Sequence, residues 1–288
     1  MNTKSTLSHR GKEPEKGILY LVGTPIGNLS DISPRALNIL KNVSLIASED
    51  TRQTKKIMTK NGFSNKLMSF NKINSVKKIQ TILKSLKNGY AIAVVSDAVM
   101  PGICDPGENL VKESRLNDID VICIPGPCAA LTALTTSGFE SSKFTFEGFL
   151  PKKKLEREKL LFEIRNNKKT TIIYESPHRF MKTLNELKNY CGGDKEIQIS
   201  RELTKKYEEN VGKNIDEAIE YFNKKEILGE LTIVIKGSGE KEIKKLNESY
   251  LKKELQELID LGLSLSAASK YLAKKKNISK KAIYNLHK

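Results

Sequence analysis

The segment Ser96–Gly107 reads SDAVMPGICDPG and sets two carboxylates, Asp97 and Asp105, among two prolines and two glycines. Proline and glycine keep such a segment out of helix and strand. Its acids therefore serve either a solvated turn or a ligand. Similar charge clusters occur at Ser48-Glu49-Asp50-Thr51-Arg52, at Tyr174-Glu175-Ser176-Pro177-His178-Arg179, and at Arg201-Glu202-Leu203-Thr204-Lys205. Glu49, Asp50, Glu175, His178 and Glu202 are the side chains able to take a proton from a weak hydroxyl nucleophile. Arg52, Arg179, Arg201 and Lys205 are suited to holding phosphates or stabilising developing charge. A plainer use exists for some of them. Glu49 and Asp50 can cap the helix that follows, and a lone histidine is more often a structural hydrogen-bonder than a catalyst.

Each cluster sits at the end of an apolar run of strand length. Ala91–Val95 is unbroken apolar sequence, as expected of a parallel strand covered on both faces. Strands are expected at 18–22, 43–47, 66–70, 91–95 and 121–124. Helices between them include one capped by Ser33-Pro34 and one over 76–87 with Ile79, Ile82, Leu83 and Leu86 on one face. This alternation predicts a mainly parallel sheet with helices on both faces, whose ligand lies beyond the carboxyl ends of the strands. A second α/β domain is expected from an aromatic strand at 144–149, strands at 170–174, 197–201 and 231–236, and helices at 155–166, 177–190 and 215–224. The expected organisation is a flexible extension over 1–16, domains over 17–138 and 139–237, and a helical basic module over 238–288. Gly237-Ser-Gly239 reads as the linker before that module.

Six loops in one order carry a resemblance: LYLVGTPIGNL, IASEDTR, SDAVMPGICDPG, IPGPCA, YESPHR and RELTK. Together they resemble the tetrapyrrole-methylase-like superfamily, in its bacterial branch that methylates small-subunit ribosomal RNA. The motifs cover roughly residues 17–237. The dinucleotide fingerprint is absent, because Pro25 stands where its second glycine belongs. The resemblance implies S-adenosylmethionine as cofactor, folded between two domains. It places Thr24, Pro25, Asp97, Met100, Pro101, Cys128, Ala129, Tyr174, Leu203 and Leu231 at that cofactor. It further implies 2′-O-methylation of a cytidine ribose in the decoding region of 16S ribosomal RNA, within the 30S particle, by a homodimer. The chain departs from the family's pattern at Val99-Met100, where Gly-Thr is usual, at Cys104 and Cys128, where Ser is usual, and at Phe70–Asn74. Two other readings stand beside it: a methylase of corrin precursors, and an RNA-binding protein that no longer transfers methyl groups.

Composition sets the outer limits. The 288 residues hold 50 Lys and Arg against 34 Asp and Glu, a net charge of +16. Such a charge favours a polyanionic partner. Lysine-rich usage throughout, alongside many Asn and Ile, is the plain alternative. No apolar run approaches the ~20 residues of a membrane span, and the first residues lack the apolar stretch of a secretory signal. Cys123 and Cys128 have four residues between them, with no second pair to complete a zinc site. A cytoplasmic protein with reduced thiols and no metal is expected. The tail from 241 on holds 12 Lys and 5 acids. It reads as three short helices, either a helix-turn-helix docking module or a helical cap on the second domain.

Overall fold

A computed structural model describes residues 13–97, 100–103, 107–276 and 278–287, with backbone alone over 240–247. Val99, Cys104 and Asp105 fall outside the described residues. The chain divides into two compact units. The first runs to Thr132 and takes in Glu202–Glu208; the second holds Ala133–Arg201 and Glu209–Lys288.

The first unit alternates strand and helix: β1 (Leu19–Val22), α1 (Pro34–Asn42), β2 (Leu45–Ser48), α2 (Thr51–Lys60), β3 (Leu67–Ser69), α3 (Ser75–Lys87), β4 (Ile92–Val95), α4 (Gly107–Leu116) and β5 (Val121–Ile124). α5 (Ala129–Ser137) follows and carries the chain across the division. The five strands form one parallel sheet in the order β3-β2-β4-β1-β5. Ile92–Val95 are all buried, which is why the sequence shows no alternation there. Tyr20, Val22, Ile46, Ala93 and Val95 face α1 and α2, through Ile39, Leu40 and Met58. Leu19, Ala47, Ile92 and Val94 face α3 and α4, through Ile82, Leu86 and Leu110. This split follows from right-handed crossovers. The links from β1 and β2 run toward one edge, and those from β3 and β4 toward the other. The neighbours β1 and β4 thus send their chains to opposite faces, opening a crevice at their carboxyl ends.

The second unit contains β6 (Phe144–Phe149), α6 (Lys154–Asn166), β7 (Thr170–Glu175), α7 (Pro177–Cys191), β8 (Glu196–Arg201), β9 (Glu209–Asn214), α8 (Ile215–Phe222) and β10 (Leu231–Ile235). Its sheet runs β6-β7-β10-β8-β9. Only β6 and β7 are parallel; the other pairings are antiparallel. Ile173, Ile197, Ile199, Ile233 and Ile235 pack on one face against Phe180, Leu184, Leu187 and Phe222. The fold class of the sequence reading holds: two α/β parts, with the first sheet parallel, followed by helices.

The structure corrects several details. β2 starts at Leu45 rather than at residue 43. β9 is a strand that the sequence reading does not contain. The expected linker is docked: Ser238 is buried, its hydroxyl accepts a hydrogen bond from Lys195 (2.7 Å), and its N–H donates to Asn167 O (2.8 Å). A Cβ on Gly237 would overlap the Lys168 carbonyl, so that chain passage needs glycine. The first of the three tail helices is not short. α9 spans Glu240–Asp260, followed by α10 (Leu265–Lys276) and α11 (Lys280–Asn285).

Candidate active site

In the first unit the loops after β1, β2, β4 and β5 meet at the carboxyl edge of the sheet. Gly23 N–H donates to Ile124 O (3.0 Å), tying the first loop to β5. A Cβ on Gly23 would lie 2.7 Å from the N and Cα of Gly126 and would also strike Met100 Sδ. A Cβ on Gly126 would lie 2.6 Å from Gly23 C. Only glycine permits this approach, and it leaves backbone rather than side chain at the floor of the crevice. Thr24 is buried, and its hydroxyl donates to Ser96 O (2.9 Å), which joins the first loop to the fourth. Gly126→Ala is expected to cost about 1–3 kcal/mol of stability, because backbone must move to admit the methyl. It should also weaken ligand binding beyond that loss. A thermal melt and a cofactor titration on the same sample check it.

The acidic residues divide by environment. Asp50 caps α2, accepting from Arg52 N–H (2.8 Å), and pairs with the Arg52 guanidinium (2.6 Å). Those bonds hold its carboxyl down at about 2. Glu49 N–H donates to Val95 O (3.2 Å), and Glu49 Oε2 accepts from Asp97 N–H (3.3 Å). The Asp97 carboxyl is pushed up to about 6, first by burial and then by the negative charges of Glu49 and Asp50. Such opposed environments for adjacent acids are typical of working sites.

Cys128 is half-buried, and its carbonyl accepts from both the N–H and the hydroxyl of Thr132 (2.9 Å each), starting α5. Leu203 is buried. Glu202 (φ 52°) and Thr204 (φ 65°) both adopt left-handed backbone, costly for a branched residue. The Thr204 hydroxyl accepts from Asn28 N–H (3.0 Å), and the Thr204 N–H donates to Glu208 (2.7 Å). The segment lies against Gly27, where a Cβ would sit 2.9 Å from Leu203 O. Lys205 pairs with Glu202 (2.8 Å). Sequence reasoning missed this brace, since nothing in RELTK marks a strained threonine.

Phe70–Asn74 has an amide role. Asn71 Oδ1 accepts from the N–H groups of Ile73 (3.1 Å) and Asn74 (3.2 Å), turning the chain into α3.

The second unit holds the remaining candidates. Tyr174 is buried with the ring edges of Phe146 (5.0 Å) and Phe149 (5.7 Å) against it. Leu231 is buried in β10, opposite Glu175 and Arg201 in the ladder. His178 is exposed in the first turn of α7. Glu175 is buried, and its two oxygens are taken: one accepts from Ser176 N–H (2.9 Å) and faces Arg179 (3.4 Å), the other accepts from Thr183 (2.6 Å). Buried Arg157 stands 4.0 Å away. Its carboxylate is thus engaged in fixing α7, which speaks against its use as a proton acceptor. Arg179 also donates to Leu150 O (2.6 Å), and Arg201 pairs with Glu209 (2.6 Å). Both guanidinium groups are partly committed inside the unit. Arg52 is the most exposed of the expected phosphate binders in the described ion pairs.

The first unit thus brings together Thr24, Pro25, Glu49, Asp50, Arg52, Asp97 and Met100, with Cys128 and Leu203 on adjoining loops. Residues 18–219 match the family model of Tetrapyrrole (Corrin/Porphyrin) Methylases. Ribosomal RNA small subunit methyltransferase I of Bacillus subtilis is 40% identical over 98% of this chain and 97% of its own length. The protein of that name from Thermotoga maritima is 47% identical, over 77% of this chain and 99% of its own. Among solved structures, a cobalt precorrin-4 methyltransferase superposes with TM-score 0.60 at 15% identity, over 76% of this chain and 95% of that one. A Thermus thermophilus uroporphyrin-III C-methyltransferase, complexed with S-adenosyl homocysteine, gives 0.54 at 16%, over 75% and 96%. At such identities these two speak for the fold alone. With a parallel sheet that opens at β1 and β4, glycine loops meeting there, and relatives at 40% over nearly the whole length, the chain belongs to the tetrapyrrole methylase family, in its ribosomal RNA small subunit methyltransferase I branch.

Proposed function

We propose that this chain transfers the methyl group of S-adenosylmethionine to the 2′-hydroxyl of a cytidine ribose in the decoding region of 16S ribosomal RNA. The proposal includes the 30S particle as substrate, a homodimer as the working form, and the cytoplasm as its place. The observation that carries it is the glycine-floored crevice of the first unit, in a chain 40% identical to an enzyme of that name over almost all of both lengths. No helix among the described residues is long and apolar enough to cross a membrane.

The crevice suits the cofactor. A Cβ at Gly23 or Gly126 would fill the space where the loops close. Asp97 offers a carboxylate to the positive end of such a ligand, and Thr24, Pro25, Met100, Pro101, Cys128, Ala129 and Leu203 line the loops around it. Tyr174 and Leu231 are cofactor residues by resemblance. S-adenosylmethionine supplies an activated methyl on its sulfonium; the protein supplies position. Among the described residues Glu49 and His178 are the acid–base candidates without a strong ion pair, since Asp50 is held by Arg52, Glu202 pairs with Lys205, and Glu175 is buried in its own cluster. Arg52, Arg179, Arg201 and Lys205 remain the proposed phosphate contacts.

The test is methyl transfer from labelled cofactor to 30S particles and to protein-free 16S RNA, followed by nucleoside analysis. Label in 2′-O-methylcytidine from 30S particles is the expected result. Label on a tetrapyrrole carbon instead would favour the corrin-type reading. Tight cofactor binding with no transfer to any RNA would overturn the proposed reaction.

A further inference from the structure

We infer that the exposed face of α10, together with the start of α11, is a docking surface for the phosphate backbone of ribosomal RNA. The inference rests on the proposed RNA substrate and extends it to a second site of contact. The module lies beyond the segment shared with the family model, which ends at residue 219. It has its own small core of Leu255, Ala268, Leu272 and Ile283, with Leu258, Ile259 and Leu265 packed around it. A structural cap needs no more than that core and an anchor. The anchor is Tyr250, whose ring takes the Arg165 guanidinium at 5.0 Å and lies 6.0 Å from the Phe162 ring, so that α9 is fixed to α6.

The charges beyond that anchor are segregated. All acids of the tail precede Leu261, and from there to the end the chain carries seven Lys and no Asp or Glu. Lys275 and Lys276 turn back to Glu254 (3.3 and 2.9 Å) and serve the packing of α10 on α9. Ser266, Lys270 and Lys274 follow one another at four-residue spacing on the opposite side of α10, all exposed, with exposed Tyr271 beside them. Lys280 reaches across from α11 to Ser266 (2.8 Å), which brings a third ammonium to the same row. Among the described residues Lys270 and Lys274 have no carboxylate partner. Lysine usage spread at random over a surface would leave acids interspersed, as they are on α9. A row of ammonium groups with an aromatic ring beside it matches phosphates and an unstacked base. It does not match an acidic protein face as well, because Tyr271 would then have no planar partner.

The experiment uses the full chain carrying Lys270→Gln, Lys274→Gln and Lys280→Gln together, with Tyr271→Ala as a separate variant. Binding to 30S particles and to protein-free 16S RNA is measured across salt, alongside cofactor affinity and melting temperature. The lysine variant is expected to keep its cofactor affinity and melting temperature. The slope of log K against log salt should fall by about 0.7 for each phosphate that an ammonium group no longer neutralises, so by roughly 2 in all. Unchanged slopes would overturn the docking surface. So would weaker binding seen only with 30S particles and not with RNA, since that points to a ribosomal protein. Failure of the underlying reading looks different: the wild-type chain itself would then neither bind nor methylate either RNA.

Discussion

Asp97→Asn is expected to weaken cofactor binding by one to two orders of magnitude and, in the same molecule, to raise the melting temperature without cofactor at pH 8. The first effect follows from removing a hydrogen bond or ion pair to a charged group, about 1.5–3 kcal/mol. The second follows from the position of Asp97. Burial and the neighbouring Glu49 and Asp50 push its carboxyl up to about 6, whereas an unfolded Asp titrates near ~3.9. Between those values the folded chain holds a proton that the unfolded chain has released, so stability falls as pH rises through this window. Above it the ionised carboxylate remains a cost, of the order of 1 kcal/mol once solvent screening is allowed for. Asn removes that cost, worth about 2–4 °C. The gain should shrink as pH falls through 6 and vanish below about 4. Binding should show the complementary trend. A sulfonium prefers the ionised carboxylate, so wild-type affinity should rise from pH 5 to 7 while the Asn variant stays flat. Calorimetry and melts at three pH values measure both. An unshifted cofactor affinity would remove Asp97 from the site, and equal melting temperatures at pH 8 would show that its ionised carboxylate is no cost to the fold.

Much of this arrangement is legible in the residues, and the exceptions have physical causes. β4 announces itself because both its faces are covered and every position must be apolar. β9 does not. It is an edge strand, ENVGKN, with one apolar residue, paired only with β8 and secured by the Arg201–Glu209 ion pair. No periodicity marks such a strand. The start of α9 is hidden for a similar reason: it lies in a polar stretch without a repeat, ahead of Tyr250, which has a cationic and aromatic seat on α6. At the site, the loops themselves are readable as glycine and proline interruptions after strands. Their meetings are not. Gly23 against Gly126 and Glu49 against the Asp97 N–H join segments far apart in the chain. Only the order of the sheet brings them together. The strained Thr204 likewise depends on Asn28, contributed from the other end of the molecule's sequence.

Glu175 is the residue whose position in the chain and whose surroundings in the fold differ most. In the sequence it sits at a strand end beside His178 and Arg179, like a base awaiting a substrate. In the structure it is enclosed by Ser176 N–H, Thr183, Arg179 and Arg157. Removing one partner from a buried charged cluster costs about 3–5 kcal/mol, because the other charges stay behind without compensation. Arg157 retains Glu186 (2.6 Å) and Thr183 (2.7 Å), which places the cost toward the lower end. Glu175→Ala is therefore expected to lower the melting temperature by on the order of 10 °C. Its methyl transfer at low temperature should stay within a few-fold of wild type. Glu175→Gln keeps one acceptor for Ser176 N–H or Thr183 and should fall between the two. A catalytic base would behave in the opposite way: an ordinary melting temperature, and turnover abolished at every temperature. Melting curves and initial rates at 15 and 37 °C, on the same preparations, separate these outcomes. A fully stable, inactive Glu175→Ala protein would return the carboxylate to the chemistry and leave the anchoring of α7 to Arg179 and the Leu150 carbonyl.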